Sequence, residues 1–408
     1  MIMKILQINA VYNKSSTGRN AWEMHKFLLD RGHDSRIASP DADEAGEKLY
    51  KIGNLADRKV HALFSRITGL QGYFSKGATK KLLQYMDKFE PDVVLLGNLH
   101  GNYIHVPLLL EYLKEKNVAT VVVLHDCWMY TGKCVHYYYS DCDRWLNECG
   151  KCPELKSGNK SWFFDRTKKM INDKKLLFNE IQRLAFVGVS EWITQEISKS
   201  TIGKNALFCR RVYNWIDFDK FYAEDNLCKE VEQLYCGKQV ILGVAGEWNE
   251  AKRFSQFLHI AEKLDEKKII VLVGKIDSQI MLPSNVIGVG EVNSIDELRK
   301  YYNRADVFLN LSGAESFGKV AAEAMACATP VVCYNSTANG EIVGEGCGCV
   351  VPENDIEAII VAINKICSIG KQIYSEECVR FAKNNFDKER NLLEYENVLN
   401  QVVRGVQD

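Results

Sequence analysis

Short apolar runs rich in valine, isoleucine and leucine alternate with amphipathic stretches almost from end to end of this chain, and no other feature restricts its fold as much. "MKILQINAVY" precedes a helix-like segment carrying Trp22, Met24, Phe27 and Leu28, and then comes "DSRIAS". "DVVLLGN", the helix-like "VPLLLEYLKEK" and "ATVVVLHD" follow. Past a polar, aromatic and cysteine-rich stretch come "RLAFVGVS" and the helix-like "EWITQEISKS". Runs that are apolar at nearly every position suit strands covered on both faces, and a helix between successive strands makes them parallel. Around residues 218–237 the pattern lapses into a charged segment, then restarts with "QVILGVAG", "KIIVLVG", "VIGVG", "DVFLNLS" and "PVVCY". The expectation is an α/β chain with two Rossmann-like, doubly wound parallel-sheet domains facing across a cleft. Ligands in such folds gather at the C-terminal ends of the strands.

The stretch "ESFGKVAAE", residues 315–323, sits at one such strand end. Val307, Phe308 and Leu309 read as a buried strand that turns at Gly313, and small helix-forming residues after Gly318 lead to Pro330 and a second strand. Glu315 then falls in the loop and Glu323 about a turn and a half into the helix. A helix start offers free N–H groups and a positive dipole end, which suits a phosphate. Acids beside it are better placed to hold hydroxyl groups of a polar ligand than to move protons.

Composition closes off other classes. The 408 residues are 46% hydrophobic and 26% charged, with a formal net charge of −1, so nothing draws the chain toward nucleic acid. No apolar run is long enough to span a bilayer, and "MIMKILQINAVY" reads as a first strand rather than a signal peptide. Fourteen cysteines scattered through apolar segments fit buried free thiols in a cytoplasmic protein. Neither G-x-G-x-x-G nor a Walker P-loop follows a strand, which weakens a dinucleotide oxidoreductase or an NTPase.

"ESFGKVAAEAMACATPVV" resembles the Glu-x7-Glu signature of retaining, Leloir-type glycosyltransferases of family 4, which have the GT-B architecture. The first strand with its glycine loop, the joint "RVYNWIDFDKF" and the terminal helix extend the resemblance along the chain. "LHDCWMYTGKC" is similar to the bacterial exopolysaccharide and capsule type. The resemblance implies an N-terminal acceptor domain at 1–217 with a cysteine-rich loop at 127–153. It also implies a nucleotide-sugar donor domain at 218–385 and a helix at 386–408 that crosses back to the N-terminal domain.

The resemblance further implies that Glu315 holds donor-sugar hydroxyls and Glu323 binds the ribose. Ser316, Phe317, Gly318, Lys319 and Val320 then line the donor site, with the amides of Phe317, Gly318 and Lys319 on the sugar and diphosphate. The leaving diphosphate would itself take the acceptor's proton, in metal-independent front-face transfer with retention. In "GVAGEWNEAKRF" the chain keeps Gly246 and Lys252, as diphosphate ligands, but has Glu247 where the family has arginine and Arg253 in place of a glycine. Arg253 is the candidate replacement cation. In "NKSSTGRNAW", Gly18 and the amide of Arg19 are placed to approach the diphosphate or acceptor. The family sets a histidine at the position of His125 against the donor sugar, with Asp126 as an acceptor contact; His100 would line the cleft. Glu291 marks the base pocket.

Cys134, Cys142, Cys149 and Cys152 lie in one loop ending "CGKCP". A structural zinc, reduced thiols and disulfides are all open readings of that spacing. Segment 61–86 mixes Phe64, Leu70, Tyr73 and Phe74 with Arg66, Lys76, Lys80 and Lys81. That mixture suits an anionic membrane surface, as on the cytoplasmic face of the inner membrane, or an ordinary loop and core helix. The reading is a retaining glycosyltransferase moving a sugar from a nucleoside-diphosphate sugar to a saccharide or lipid-linked oligosaccharide acceptor, in bacterial surface-polysaccharide synthesis. The alternatives are a sugar-nucleotide epimerase of the same fold and a non-catalytic nucleotide-sugar-binding subunit.

Overall fold

The computed structural model describes residues 1–42, 48–224, 235 and 237–406. Most of the charged stretch around 218–237 therefore lies outside the described residues. The chain divides into two compact units, Met1–Val212 with Leu392–Asp408, and Tyr213–Asn391.

The first unit holds a seven-stranded sheet in the order β3-β2-β1-β4-β5-β6-β7. Its strands are β1 (Lys4–Ile8), β2 (Asp34–Ser39), β3 (Leu49–Lys51), β4 (Val93–Leu96), β5 (Ala119–Leu124), β6 (Leu184–Gly188) and β7 (Phe208–Arg211). Every pairing is parallel, as between Ile5 and Val93 of β1 and β4. Val93 to Leu96 and Ala119 to Leu124 are buried at every position, which is why those runs show no alternation in the sequence. Helices close the crossovers with local caps. Ser190 accepts the Ile193 amide at the start of Glu191–Lys199, and Asn54 and Asp57 form a reciprocal capping box on Leu55–Thr68.

The last helix, Lys388–Arg404, belongs to this unit from Leu392 onward. Its Glu396 accepts from Arg31 Nε at 3.0 Å and pairs with His33 Nε2 at 3.0 Å, and Gln401 accepts from Arg210 at 2.7 Å.

The second unit holds a six-stranded parallel sheet, order β10-β9-β8-β11-β12-β13. The strands are β8 (Gln239–Glu247), β9 (Lys268–Lys275), β10 (Val286–Gly290), β11 (Val307–Asn310), β12 (Val331–Tyr334) and β13 (Gly348–Val351). Helices Phe254–Lys263 and Ile356–Ile369 bury Phe257, Ile260, Ile359, Ile363 and Ile366 against Ile241, Leu272 and Val332 of the sheet. Burial of each such side chain contributes about 1.5–3 kcal/mol.

Both sheets reverse strand order at one place, between β1 and β4 in the first unit and between β8 and β11 in the second. At such a reversal the loops leave in opposite directions and open a crevice at the strand C-termini. Lys252, Arg253 and Glu315 lie in the loops at the second of these reversals.

Candidate functional site

In the second unit the loops after β8 and β11 meet. After β8, Asn249 caps a single 3-10 turn, Glu250–Lys252, and Arg253 takes a left-handed conformation before the next helix. After β11, residues 311–318 run to Gly318, whose φ of 82° a residue with a side chain rarely adopts, and the helix Lys319–Ala326 begins. Lys252 Nζ reaches Glu315 Oε1 at 2.5 Å, with the two side chains 37% and 19% exposed. An ammonium and a carboxylate thus stand side by side, near a helix start whose first turn leaves N–H groups without intrahelical partners.

Glu315 is fixed through its backbone as well. Its amide donates to Thr337 Oγ1 at 2.9 Å and its carbonyl accepts from Ala338 at 3.2 Å. Beneath Gly318, the Asn310 amide nitrogen donates to Asn339 Oδ1 at 3.0 Å, and Asn339 in turn donates to the Ser312 carbonyl at 2.5 Å. Glu323 is 6% exposed and accepts from the buried Tyr302 hydroxyl at 2.9 Å. Burial first, and then the Glu323 charge, push the Tyr302 phenol well above its usual range, so it remains a donor to that carboxylate. Arg253 Nη2 pairs with Glu353 Oε1 at 2.7 Å, in the loop after β13.

The other expected residues divide. Ser316 is buried beside Glu315, and Lys319 and Val320 are half-buried in the first helical turn. The Phe317 side chain belongs to the core, edge-on to Phe386 at 5.3 Å, so only its backbone is available to a ligand. Gly246 is exposed with open space around it, so nothing in the protein requires a glycine there. Glu291 is exposed just past β10. Thr337, Asn310, Asn339, Tyr302 and Glu353 were not singled out in the sequence. Thr337 and Asn339 fall in the polar run "YNSTANGE" at the end of β12, while Asn310, Tyr302 and Glu353 carry no such local signal.

In the first unit, His125 immediately follows β5, and Asp126 is 9% exposed. One Asp126 oxygen caps the turn Cys127–Tyr130 through the Trp128 amide at 2.8 Å, and the other meets His100 Nε2 at 2.8 Å. Burial alone would raise the Asp126 carboxyl, but the His100 hydrogen bond and charge outweigh it and hold it below its usual range. Gln71 ties the group together, donating to the His100 carbonyl at 3.2 Å and accepting from Trp128 Nε1 at 2.7 Å.

Gly18 lies in the first turn of the helix Ser15–Asp30, where a Cβ would come within 3.2–3.3 Å of the Asn13, Tyr12 and Val11 backbone, a close approach that favours glycine. Arg19 is exposed and its Nε donates to the Ser15 carbonyl at 3.2 Å.

Cys134, Cys142, Cys149 and Cys152 line one small cavity with Tyr137 and Trp145, and all four are free thiols. Cys134 and Cys152 hydrogen-bond to each other, which lowers the Cys152 thiol and raises that of Cys134; burial raises Cys149 to about 11. Among the described residues no group of three or more His, Cys, Asp and Glu side chains is arranged to hold a metal ion. Among the described residues no helix is long and apolar enough to cross a membrane.

Residues 230–388 match the family model described as glycosyl transferases group 1. The D-inositol 3-phosphate glycosyltransferase of Mycobacterium sp. (strain KMS) is 28% identical over 133 residues, 30% of this chain and 30% of its own length. The capsular polysaccharide biosynthesis glycosyltransferase CapM of Staphylococcus aureus is 24% identical over 44% of this chain and 51% of its own length. The chain therefore matches about half or less of these relatives. Sucrose-phosphate synthase of Thermosynechococcus elongatus superposes with a TM-score of 0.72 at 14% identity, over 98% of this chain and 99% of that one. HepE of Anabaena, solved in complex with UDP, gives 0.68 at 13% identity, over 98% and 100%. Two parallel Rossmann-like sheets and the likeness to these solved structures give the chain the GT-B fold, and its residues 230–388 match the glycosyl transferases group 1 model.

Proposed function

We propose that this chain transfers a sugar, with retention, from a nucleoside-diphosphate sugar to a saccharide acceptor on a lipid carrier, in bacterial surface-polysaccharide assembly at the cytoplasmic face of the membrane. The observation that carries the reading is the 2.5 Å contact of Lys252 with Glu315 beside the start of Lys319–Ala326. Glycosyl transfer builds negative charge on the departing diphosphate, and a preorganised cation with helix-start N–H donors stabilises that charge where it develops. Lys252 takes the diphosphate, with Arg253 as the second cation. Glu315 turns to the donor-sugar hydroxyls, and Glu323, braced by Tyr302, takes the ribose. In the first unit His125 is assigned to the donor sugar and Asp126, oriented by His100, to the acceptor. The leaving diphosphate accepts the acceptor's proton, so no separate carboxylate base is needed. The UDP bound to HepE and the capsule setting of CapM support a nucleotide donor and a polysaccharide product.

The test is turnover with a panel of sugar nucleotides and saccharide acceptors, followed by NMR of the new anomeric centre. Release of nucleoside diphosphate with the donor's configuration kept is the expected result. An inverted product contradicts retention, and no release with any donor contradicts transfer.

A further inference from the structure

Six large apolar side chains stand out into solvent on one side of the first unit. Val60, Leu63 and Phe64 lie on the helix Leu55–Thr68, at 53%, 44% and 44% exposure. Trp162, Phe163 and Phe164 follow one another in a loop, at 43%, 69% and 50%. Isolated exposed apolar residues are ordinary, but three consecutive aromatics beside an apolar helix face are not.

The backbone beneath them is fixed. The Trp162 amide donates to the Arg66 carbonyl at 2.6 Å, and Ser161 Oγ donates to the Phe164 carbonyl at 2.6 Å. Gly69, at φ 74°, ends the helix, and a Cβ there would lie 2.1 Å from the Phe164 oxygen, so its glycine is what lets the loop seat against the helix end. At the loop's base the buried Lys133 ammonium donates to the carbonyls of Glu154 and, at 3.0 Å, Ser157. The loop is tied down through its backbone while its rings face water.

Within 55–69 and 155–166 cations outnumber acids. Lys59, Arg66, Lys156, Lys160 and Arg166 are all exposed, and Arg166 lies 5.6 Å from the centre of the Phe164 ring. The acids within 55–69 and 155–166 are Asp57 and Asp165, and both are occupied by backbone amides. Clustered aromatic side chains rimmed by lysine and arginine match the interface of a bilayer carrying anionic headgroups.

We infer that this surface docks the chain on an anionic lipid bilayer, with Trp162, Phe163 and Phe164 entering the headgroup region and the five cations facing the phosphates. It deepens the lipid-carrier part of the proposed function and rests on that part alone. It also moves the membrane contact expected over 61–86 to the face shared by Leu55–Thr68 and the 155–166 loop.

The test is flotation of the full chain with phosphatidylcholine vesicles, with and without phosphatidylglycerol. Wild type should partition to the anionic vesicles only, and less at high salt as the cations are screened. Phe163→Ser/Phe164→Ser should reduce partition about tenfold or more, and Lys59→Glu/Lys160→Glu should do the same, since each cation near the surface is worth about fivefold. These substitutions are on the surface, and each variant's response to nucleoside diphosphates is measured in parallel by thermal shift. Loss of partition with that response intact supports the surface independently of the donor site. No binding by wild type, equal binding by both variants, or a wild-type dimer in light scattering that Phe163→Ser/Phe164→Ser abolishes would each overturn it.

Discussion

Lys252 and Glu315 are 63 residues apart in sequence yet join the loops after β8 and β11 through a 2.5 Å contact. Lys252→Met should lower turnover by about 10²–10³, the cost of removing one preorganised group from developing charge, with nucleotide binding reduced less. Tyr302→Phe tests the support for Glu323. It should cost about 1 kcal/mol of stability, as one hydrogen bond to a buried carboxylate is lost, and weaken nucleoside-diphosphate binding in calorimetry. Unchanged binding would separate Glu323 from the ribose.

Histidines of the first unit set a pH limit. Burial is the main force that lowers His25, His61 and His105, each to about 4. The unfolded chain binds protons at these sites near pH 6.5, and the folded chain does not until near 4. Protons therefore favour unfolding across that window, and stability is full above about 6.5 and falls as pH drops. Denaturant melts between pH 7.5 and 5 should show that fall; a flat profile would contradict the buried neutral imidazoles.

At the scale of elements, the central strands were legible because apolar residues run nearly unbroken along each and helices flank them. β3, β7 and β13 were not read out. They are short and partly exposed, with Lys51 and Arg211 open to solvent, so their pairing is dictated by the neighbouring strand rather than by a pattern of their own. The Glu-x7-Glu stretch was legible because strand, glycine and helix fall in order. The partners that fix it, Thr337, Asn339 and Tyr302, come from other strand ends and helices, which no local window joins. Ile363→Ala, in the core of the second unit, should cost about 2–5 kcal/mol through lost burial and the cavity left behind, measured by melting with and without nucleotide; a loss under about 1 kcal/mol would mean that the helix Ile356–Ile369 is not packed as described.

At the scale of the molecule, the chain leaves the first unit at Val212 and returns to it at Leu392. The returning helix buries Leu392, Tyr395, Val398, Leu399 and Val402 and supplies Glu396 to Arg31 and His33. A chain ending at Asp387 should therefore lose far more than its length suggests, at about 1.5–3 kcal/mol for each large side chain no longer buried. Its first unit should melt many degrees lower or aggregate on expression; a first unit of unchanged melting temperature would contradict this packing. Doubling of the α/β pattern was visible in the sequence because two series of apolar runs restart on either side of a charged lapse. The return of the helix was not readable from apolar spacing, since an amphipathic helix shows that it has a core to cover but not which one.

The most direct test of the account is calorimetry of the second unit's site in the full chain, titrating UDP, GDP, ADP and CDP into wild type, Lys252→Met and Glu323→Ala. The account predicts that one nucleoside diphosphate binds wild type and that each substitution weakens it by about tenfold or more, the worth of one charge-assisted contact. Equal affinity in all three proteins, or no binding of any nucleotide to wild type, would contradict it.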